Sequence, residues 1–233
     1  MNNIAIIFQK QIKDILKNKT VLIEFIIFPL MAFIMTKTVQ IQDMPAGFFV
    51  KLFAVMYIGM APLTGMSAII AEEKEKNTLR VLLMADVTPA QYLTGTGGCV
   101  FLISMAGAGA FCAISGYSGP GEKALFLLLM AIGSLVSMLI GAVIGAGCKS
   151  QMSATSVAVP VMMTFSFLPM LSMFNETIKK AAEFAYSRQI MVLMDGLGKG
   201  QDNTGSVVII VLNMMLFGGL FGVLYKKGGL GGN

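Results

Sequence analysis

Long apolar segments separated by short polar stretches constrain the fold of this chain more than any other feature. A helix needs roughly 20 mostly apolar residues to cross a membrane. About six segments meet this requirement, near 20–37, 51–71, 92–115, 124–147, 154–173 and 205–225. Hydrophobic residues make up 56% of the 233 residues and charged residues only 12%, whereas charged residues make up about 25% of a typical soluble domain. The sequence therefore predicts an all-α membrane protein with one transmembrane domain, 1–233, of six spans.

The first 19 residues differ from these segments and predict an amphipathic helix. Lysines and an aspartate occupy some faces of this helix. Its apolar residues recur at helical spacing on another face: Ile4, Ile7, Phe8, Ile12, Ile15 and Leu16. A helix of this kind lies in the membrane interface. We therefore expect 1–19 to form an interfacial helix that precedes the six spans.

The basic residues predict the orientation of the spans. An even number of spans places both termini on one side, and about ten of the 17 lysines and arginines fall on that side against about seven on the other. Short loops rich in basic residues stay in the cytoplasm. We therefore expect a multi-pass protein of the plasma membrane with both termini in the cytoplasm. Segment 72–91 becomes a cytoplasmic loop, and 174–204 an extracellular loop with short helices.

Several kinds of chemistry are excluded by composition. The chain has no histidine, so neither a Ser-His nucleophile nor a His-metal site is possible. Its three cysteines lie in or beside apolar segments without metal-ligand spacing, and we interpret them as packing residues. The net charge of +5 is explained by membrane orientation, so we expect no nucleic-acid partner. An intramembrane enzyme is disfavoured as well, because the spans hold no clustered pair of acids.

One dense group of charges interrupts the apolar pattern, in AEEKEKNTLRVLLMADVTPAQYL, residues 71–93. Residues 72–76 are all charged, and Asn77 or Thr78 can cap a new helix after them. This new helix carries three leucines on one face: Leu79, Leu82 and Leu83. A loop that only fixes topology needs basic residues alone and no leucine face. We interpret that face as a docking surface for lipid or for a cytoplasmic partner, and a solvated topological loop is the alternative.

The same stretch resembles the first cytoplasmic loop of ABC-2 type permeases, the membrane subunits of a class of ATP-binding-cassette exporters. The resemblance rests on EKEKNTL at 73–79, the following leucine pair, YLTG at 92–95 and the layout of the whole chain. Asn77 stands where the family usually has glycine, and Asp86 stands about where it often has proline. Asparagine tolerates a left-handed backbone better than most residues, so we expect the turn to persist at Asn77.

The resemblance implies that 72–91 is a coupling loop, which fits a cleft in a separate ATPase subunit. The residues it implies for docking and charge pairing are Glu72, Glu73, Glu75, Thr78, Leu79, Arg80, Leu82 and Leu83. The chain has no G-x-x-x-x-G-K-[ST] phosphate-binding loop, so it is not expected to be an enzyme itself. ATP and Mg²⁺ are expected on the partner ATPase. The assembly implied is two permease subunits, as a homodimer or heterodimer, with two ATPase subunits.

The resemblance also implies a substrate pathway between the two permease subunits, lined by the second and fifth spans. The pathway residues implied are Met56, Met60, Thr64, Thr164, Phe165 and Phe167. Since the spans hold no ring of charges, we expect export of an amphipathic or lipid-like substrate, such as a peptide, drug or lipid conjugate. The alternative is an ATP-independent channel or secondary transporter. Secondary transporters usually carry buried ionisable groups, for which Glu24 is the one candidate. Its closeness to Lys17 and Lys19 favours a position at the headgroup level.

Small residues recur at intervals of four in two spans. Ser137, Gly141 and Gly145 show this spacing, and so do Gly218 and Gly222. Small residues at this interval let two helices approach closely. We expect both sets to pack against helices of the same chain, and a dimer face is the alternative.

Overall fold

The computed structural model describes residues 8–13, 15, 19–39, 45, 47–78, 89–197 and 203–230. Every regular element in these ranges is a helix, and residues 8–13 are themselves helical. The longer helices, in chain order, are α1 (Lys19–Thr38), α2 (Phe48–Glu75), α3 (Pro89–Ile114), α4 (Pro120–Gly147), α5 (Gln151–Leu171), α6 (Glu176–Ala182), α7 (Tyr186–Asp195) and α8 (Thr204–Leu230).

Five helices in this part of the chain are long and apolar enough to cross a membrane. They span Phe48–Glu75, Thr94–Ile114, Pro120–Gly147, Gln151–Leu171 and Thr204–Leu224. These correspond to the second to sixth apolar segments of the sequence. The all-helical membrane fold is therefore confirmed. Two finer expectations stay predictions: α1 as a sixth span and the interfacial position of the N-terminal helix.

Polar contacts join helix ends at each end of the bundle. The Lys74 ammonium donates to the carbonyl of Ala146 at 2.6 Å, and the backbone N–H of Gln151 donates to the Glu75 carboxylate at 2.7 Å. The end of α2 thus lies beside the end of α4 and the start of α5. At the start of α2, Lys51 pairs with Asp195 of α7 at 3.2 Å. The two ends of the bundle therefore carry separate sets of polar contacts.

Helix α2 is the centre of the bundle. Of its most apolar 18 residues 78% are buried, against 11% in α8. It packs against α1, α3, α4, α5 and α7. Only short side chains allow neighbours to come so close: Gly59 of α2 lies against Ser166 of α5, where an added Cβ would be 2.8 Å from the Ser166 hydroxyl. The apolar core therefore forms around α2.

The predicted small-residue face of α4 packs against α2. The Ser137 hydroxyl donates to the carbonyl of Ile58. A Cβ added to Gly141 would lie 2.2 Å from the carbonyl oxygen of Leu63, so the two backbones are nearly in contact. Intrachain packing is therefore confirmed for the α4 set. Gly222 of α8 is different, because nothing lies within 4 Å of a Cβ added there.

The segment between α5 and α8 holds the short helices α6 and α7. Asn175 caps α6 by accepting hydrogen bonds from the N–H groups of Thr177 and Ile178. Helix α7 is held against the bundle by Tyr186, which is fully buried and whose hydroxyl is hydrogen-bonded to Ser137. Burial raises the pKa of Tyr186 well above its usual value. The phenol therefore remains neutral at physiological pH.

Gly141→Ala should destabilise the protein, because its new methyl group would collide with backbone that cannot move aside. Overpacking of this kind costs about 1–3 kcal/mol. Thermal unfolding of the purified protein in detergent measures the effect. Gly222→Ala is the matched control and should leave the stability unchanged or raise it by up to about 1 kcal/mol, because alanine favours a helix more than glycine does. Equal melting temperatures for the two variants would contradict the close α2–α4 packing.

Candidate functional site

Glu73, in the last turn of α2, is a buried carboxylate with three hydrogen-bond donors. Its side chain is 7% exposed. Lys10 Nζ and Gln11 Nε2 contact one carboxylate oxygen at 2.7 and 2.6 Å, and the Tyr92 hydroxyl contacts the other at 2.5 Å. A charge can be buried in this way only when it is paired and hydrogen-bonded. This one carboxylate therefore joins the N-terminal helix, α2 and α3.

The N-terminal helix reaches Glu73 because its buried face is only partly apolar. Gln11 and Ile15, one turn apart, are both buried. Phe8 lies against Gly98 of α3, where an added Cβ would be 3.8 Å from its ring. The helix thus packs on the bundle through Phe8 and Ile15 and places the Gln11 amide at the carboxylate. Lys10, which is 43% exposed, approaches the same oxygen from the surface.

The charges on either side of Glu73 also find partners within the chain. Lys74 binds a carbonyl at the C-terminal end of α4, and Glu75 binds a backbone N–H at the N-terminal end of α5. Both charges have the sign that the respective helix dipole favours. Glu72 pairs with Lys76, the residue that directly follows α2. Intrachain contacts thus explain why this group of charges contains acids as well as bases.

Asn77 ends α2 with a left-handed backbone. Its φ is 56°, the one positive φ of a non-glycine residue in the described ranges. The N–H of Asn77 donates to the carbonyl of Lys74 at 3.1 Å, and the N–H of Lys76 donates to the carbonyl of Glu72 at 2.9 Å. These bonds satisfy carbonyl groups that the end of a helix leaves free. The expected turn at Asn77 is therefore confirmed.

The residues of the implied docking surface differ in how the structure describes them. Thr78 is half-buried just after the turn. Leu79, Arg80, Leu82 and Leu83 lie outside the described residues, together with the rest of 79–88. Glu72 and Glu75 keep accessible surface, whereas Glu73 is turned into the bundle.

The implied pathway residues also divide by exposure. Met60 and Thr64 of α2 are half-buried and Thr164 of α5 is exposed. Met56 is buried, and Phe167 is half-buried. Phe165 packs its ring on Tyr186 and Phe217, with centroids 5.1 and 6.4 Å apart. Side chains of both spans thus remain accessible, although the aromatic ring of Phe165 serves the packing of α5 against α7 and α8.

An apolar cavity of about 390 Å³ lies elsewhere, among α2, α3, α4 and α8. Its lining includes Met66, Thr94, Phe101, Met138 and Met214 and none of the implied pathway residues. Among the residues that the structure describes, no group of three His, Cys, Asp or Glu side chains could hold a metal ion.

The partners of Glu73 were not identifiable as such from sequence. Gln11 lies 62 residues before Glu73, and Tyr92 lies 19 residues after it. The only local signal was the amide of Gln11 on the otherwise apolar face of an amphipathic helix. A polar side chain in that position needs a hydrogen-bond partner when it is buried, but the sequence does not say which one.

The described helices form a multi-pass bundle whose charged α2 terminus gathers several other elements. A family model described as ABC-2 family transporter protein matches residues 2–225. None of the curated proteins compared with the chain matches it. Since the family match covers nearly the whole length, the chain belongs to the ABC-2 family of transporter proteins. It is accordingly the membrane permease component of an ABC transporter, a kind of protein that associates with an ABC ATPase subunit and generally has no ATPase site of its own.

Glu73→Gln should loosen the N-terminal helix. The new amide would turn an N–H donor toward the donors of Lys10, Gln11 or Tyr92, where the wild type has a carboxylate oxygen that accepts. A buried donor left unsatisfied costs about 1–3 kcal/mol. This cost raises the fraction of molecules in which the helix is released, so trypsin should cleave after Lys10 and Lys13 about tenfold faster. Glu72→Gln is the matched control, since an exposed pair contributes less than about 1 kcal/mol. Equal cleavage of the two variants would show that Glu73 does not hold the helix.

Substitutions at Asn77 should follow the strain of its left-handed backbone. Asn77→Gly should preserve or slightly raise the melting temperature, because glycine adopts positive φ freely. Asn77→Val should lower the free energy of unfolding by about 1–2 kcal/mol, because a β-branched residue lacks the short polar side chain that lets asparagine adopt this conformation. Calorimetry of the two variants measures the difference. A more stable valine variant would contradict the turn.

Proposed function

We propose that the chain is the permease subunit of an exporter, which moves an amphipathic or lipid-like molecule out of the cytoplasm. The energy would come from ATP hydrolysed, with Mg²⁺, on the separate ATPase subunit. The observation that carries the proposal is the convergence of five segments on residues 73–75: the N-terminal helix, α2, α3, α4 and α5. A force on the adjacent loop would act on all five at once.

The loop at 79–88 supplies the docking surface in this proposal. Its leucines, Leu79, Leu82 and Leu83, enter an apolar cleft of the ATPase. Glu72, Glu75, Thr78 and Arg80 form polar contacts at the rim, which set partner choice more than affinity. Glu73 has a different part: it positions the loop from within the bundle. Closure of two ATPase subunits then tilts the helices attached to residues 73–75.

The assembly proposed is a dimer of permeases in the cell membrane, with either a second copy or a close relative as the partner. Helix α1 serves as the sixth span, since it has 20 residues and exposes large apolar side chains such as Ile26, Leu30 and Phe33. Both termini then lie in the cytoplasm. The substrate passes between the two permeases along accessible side chains of α2 and α5, of which Met60, Thr64 and Thr164 are the accessible members of the predicted pathway.

Leu82→Asp and Leu83→Asp should each abolish copurification of the ATPase subunit, because a carboxylate cannot be desolvated in an apolar cleft without a partner. The permease should still appear in the membrane fraction, since the change lies outside every span. Pull-down of the ATPase from detergent-solubilised membranes measures the association.

Phe184→Asp provides the control, because it places the same charge on a 76% exposed side chain at the opposite end of the bundle. This variant should retain the ATPase. Normal ATPase binding by both leucine variants would refute the docking role of the loop.

A further inference from the structure

Glu24 of α1 is hydrogen-bonded to Thr64 of α2. Thr64 lies seven residues before Ala71, the last apolar residue of α2 ahead of the charges. At 1.5 Å per residue, the Glu24 carboxyl therefore lies about 10 Å inside the apolar part of the bundle. This position is deeper than the headgroup level, which was expected because Lys17 and Lys19 are close to Glu24 in the sequence. An ionisable side chain at such a depth is costly and needs a functional or structural partner.

Thr64 satisfies only part of this carboxyl group. The Thr64 hydroxyl also lies 2.9 Å from the carbonyl oxygen of Met60 and 3.2 Å from that of Ala61, and it has a single proton to donate. An ionised carboxylate can accept about four hydrogen bonds. Within the described ranges, Thr64 is the one hydrogen-bond partner of Glu24. Acceptor capacity therefore remains.

Among the side chains that the structure describes, four acids have a counter-charge and Glu24 does not. The ion pairs among the described side chains join Lys10 to Glu73, Lys51 to Asp195, Lys76 to Glu72 and Lys179 to Glu176. Glu24 takes part in none of these pairs. Its side chain is half-buried rather than enclosed, so a ligand can reach it.

The surroundings of Glu24 suit an apolar cation. Phe28 lies one turn after Glu24 on the same face of α1, and Met60 lies one turn before Thr64 on α2, both half-buried. An aromatic ring attracts a cation through its face, and a thioether adapts to ligands of varied shape. Ile23 and Ile27 are exposed beside them. One carboxylate in an apolar wall matches a molecule with one positive group on an apolar body.

We propose that Glu24 binds an ammonium, guanidinium or similar cationic group of the transported molecule. Thr64 orients the carboxylate, while Phe28 and Met60 contact the apolar body. This inference rests on the proposed function, because it takes the transported molecule as the ligand. It narrows the substrate class from amphipathic molecules in general to apolar cations.

Tetraphenylphosphonium and tetraphenylborate test the site, because these ions share size and shape and differ in the sign of charge. Saturable binding of each is measured on the permease–ATPase complex in lipid nanodiscs. Glu24→Gln keeps the size of the side chain and removes its charge. It should weaken phosphonium binding at least tenfold and leave borate binding unchanged. Thr64→Val should weaken phosphonium binding by a smaller factor, whereas the exposed-residue control Glu176→Gln should have no effect.

Two outcomes overturn the inference: no saturable phosphonium binding by the wild type, or equal phosphonium affinity in Glu24→Gln. The latter would mean that the cation binds elsewhere and that Glu24 serves only the contact between α1 and α2. Failure of the proposed function gives a different result, namely a permease that does not retain the ATPase. Phosphonium binding to the permease in nanodiscs can still be measured in that case, so the two failures are distinguishable.

Discussion

The buried carboxylate of Glu73 is the interaction on which the charged end of the bundle depends. A charge inside protein is tolerated only with donors on all sides, and Lys10, Gln11 and Tyr92 provide them from two other segments. The N-terminal helix and α3 are consequently fixed to the end of α2. The neighbouring charges extend this connection to α4 and α5. Five of the described helices thus meet at the end of α2.

Helix α2 can serve as this centre because of the residues packed around it. Gly141 allows the α4 backbone to approach that of α2, and Ser137 donates to an α2 carbonyl. Without a hydrophobic driving force between helices in lipid, close packing and interhelical hydrogen bonds supply much of the association. At the other end, Lys51 and Tyr186 attach α7 to the bundle. Helix α2 is therefore attached to its neighbours by polar contacts at both ends.

Glu73 and Asn77 show how far a motif can be interpreted from sequence. The left-handed turn at Asn77 was predictable, because backbone tolerance is a property of the residue itself. Glu73 belonged to the same motif, and its position next to exposed charges favoured a role at the rim of a docking surface. Its actual contacts lie inside the bundle. The choice between a surface and a buried carboxylate depends on donors that approach from distant parts of the chain.

The sequence by itself determined the class of protein, the helical segments, the small-residue face of α4 and the turn that ends α2. Each follows from local properties: apolar length, helical spacing, side-chain volume and backbone preference. Only the tertiary structure decided which polar groups meet. Glu24 and Thr64 are 40 residues apart, and Glu73 and Gln11 are 62 apart. Such pairs form because a buried polar group must find a partner, and helix packing rather than sequence spacing brings that partner within reach.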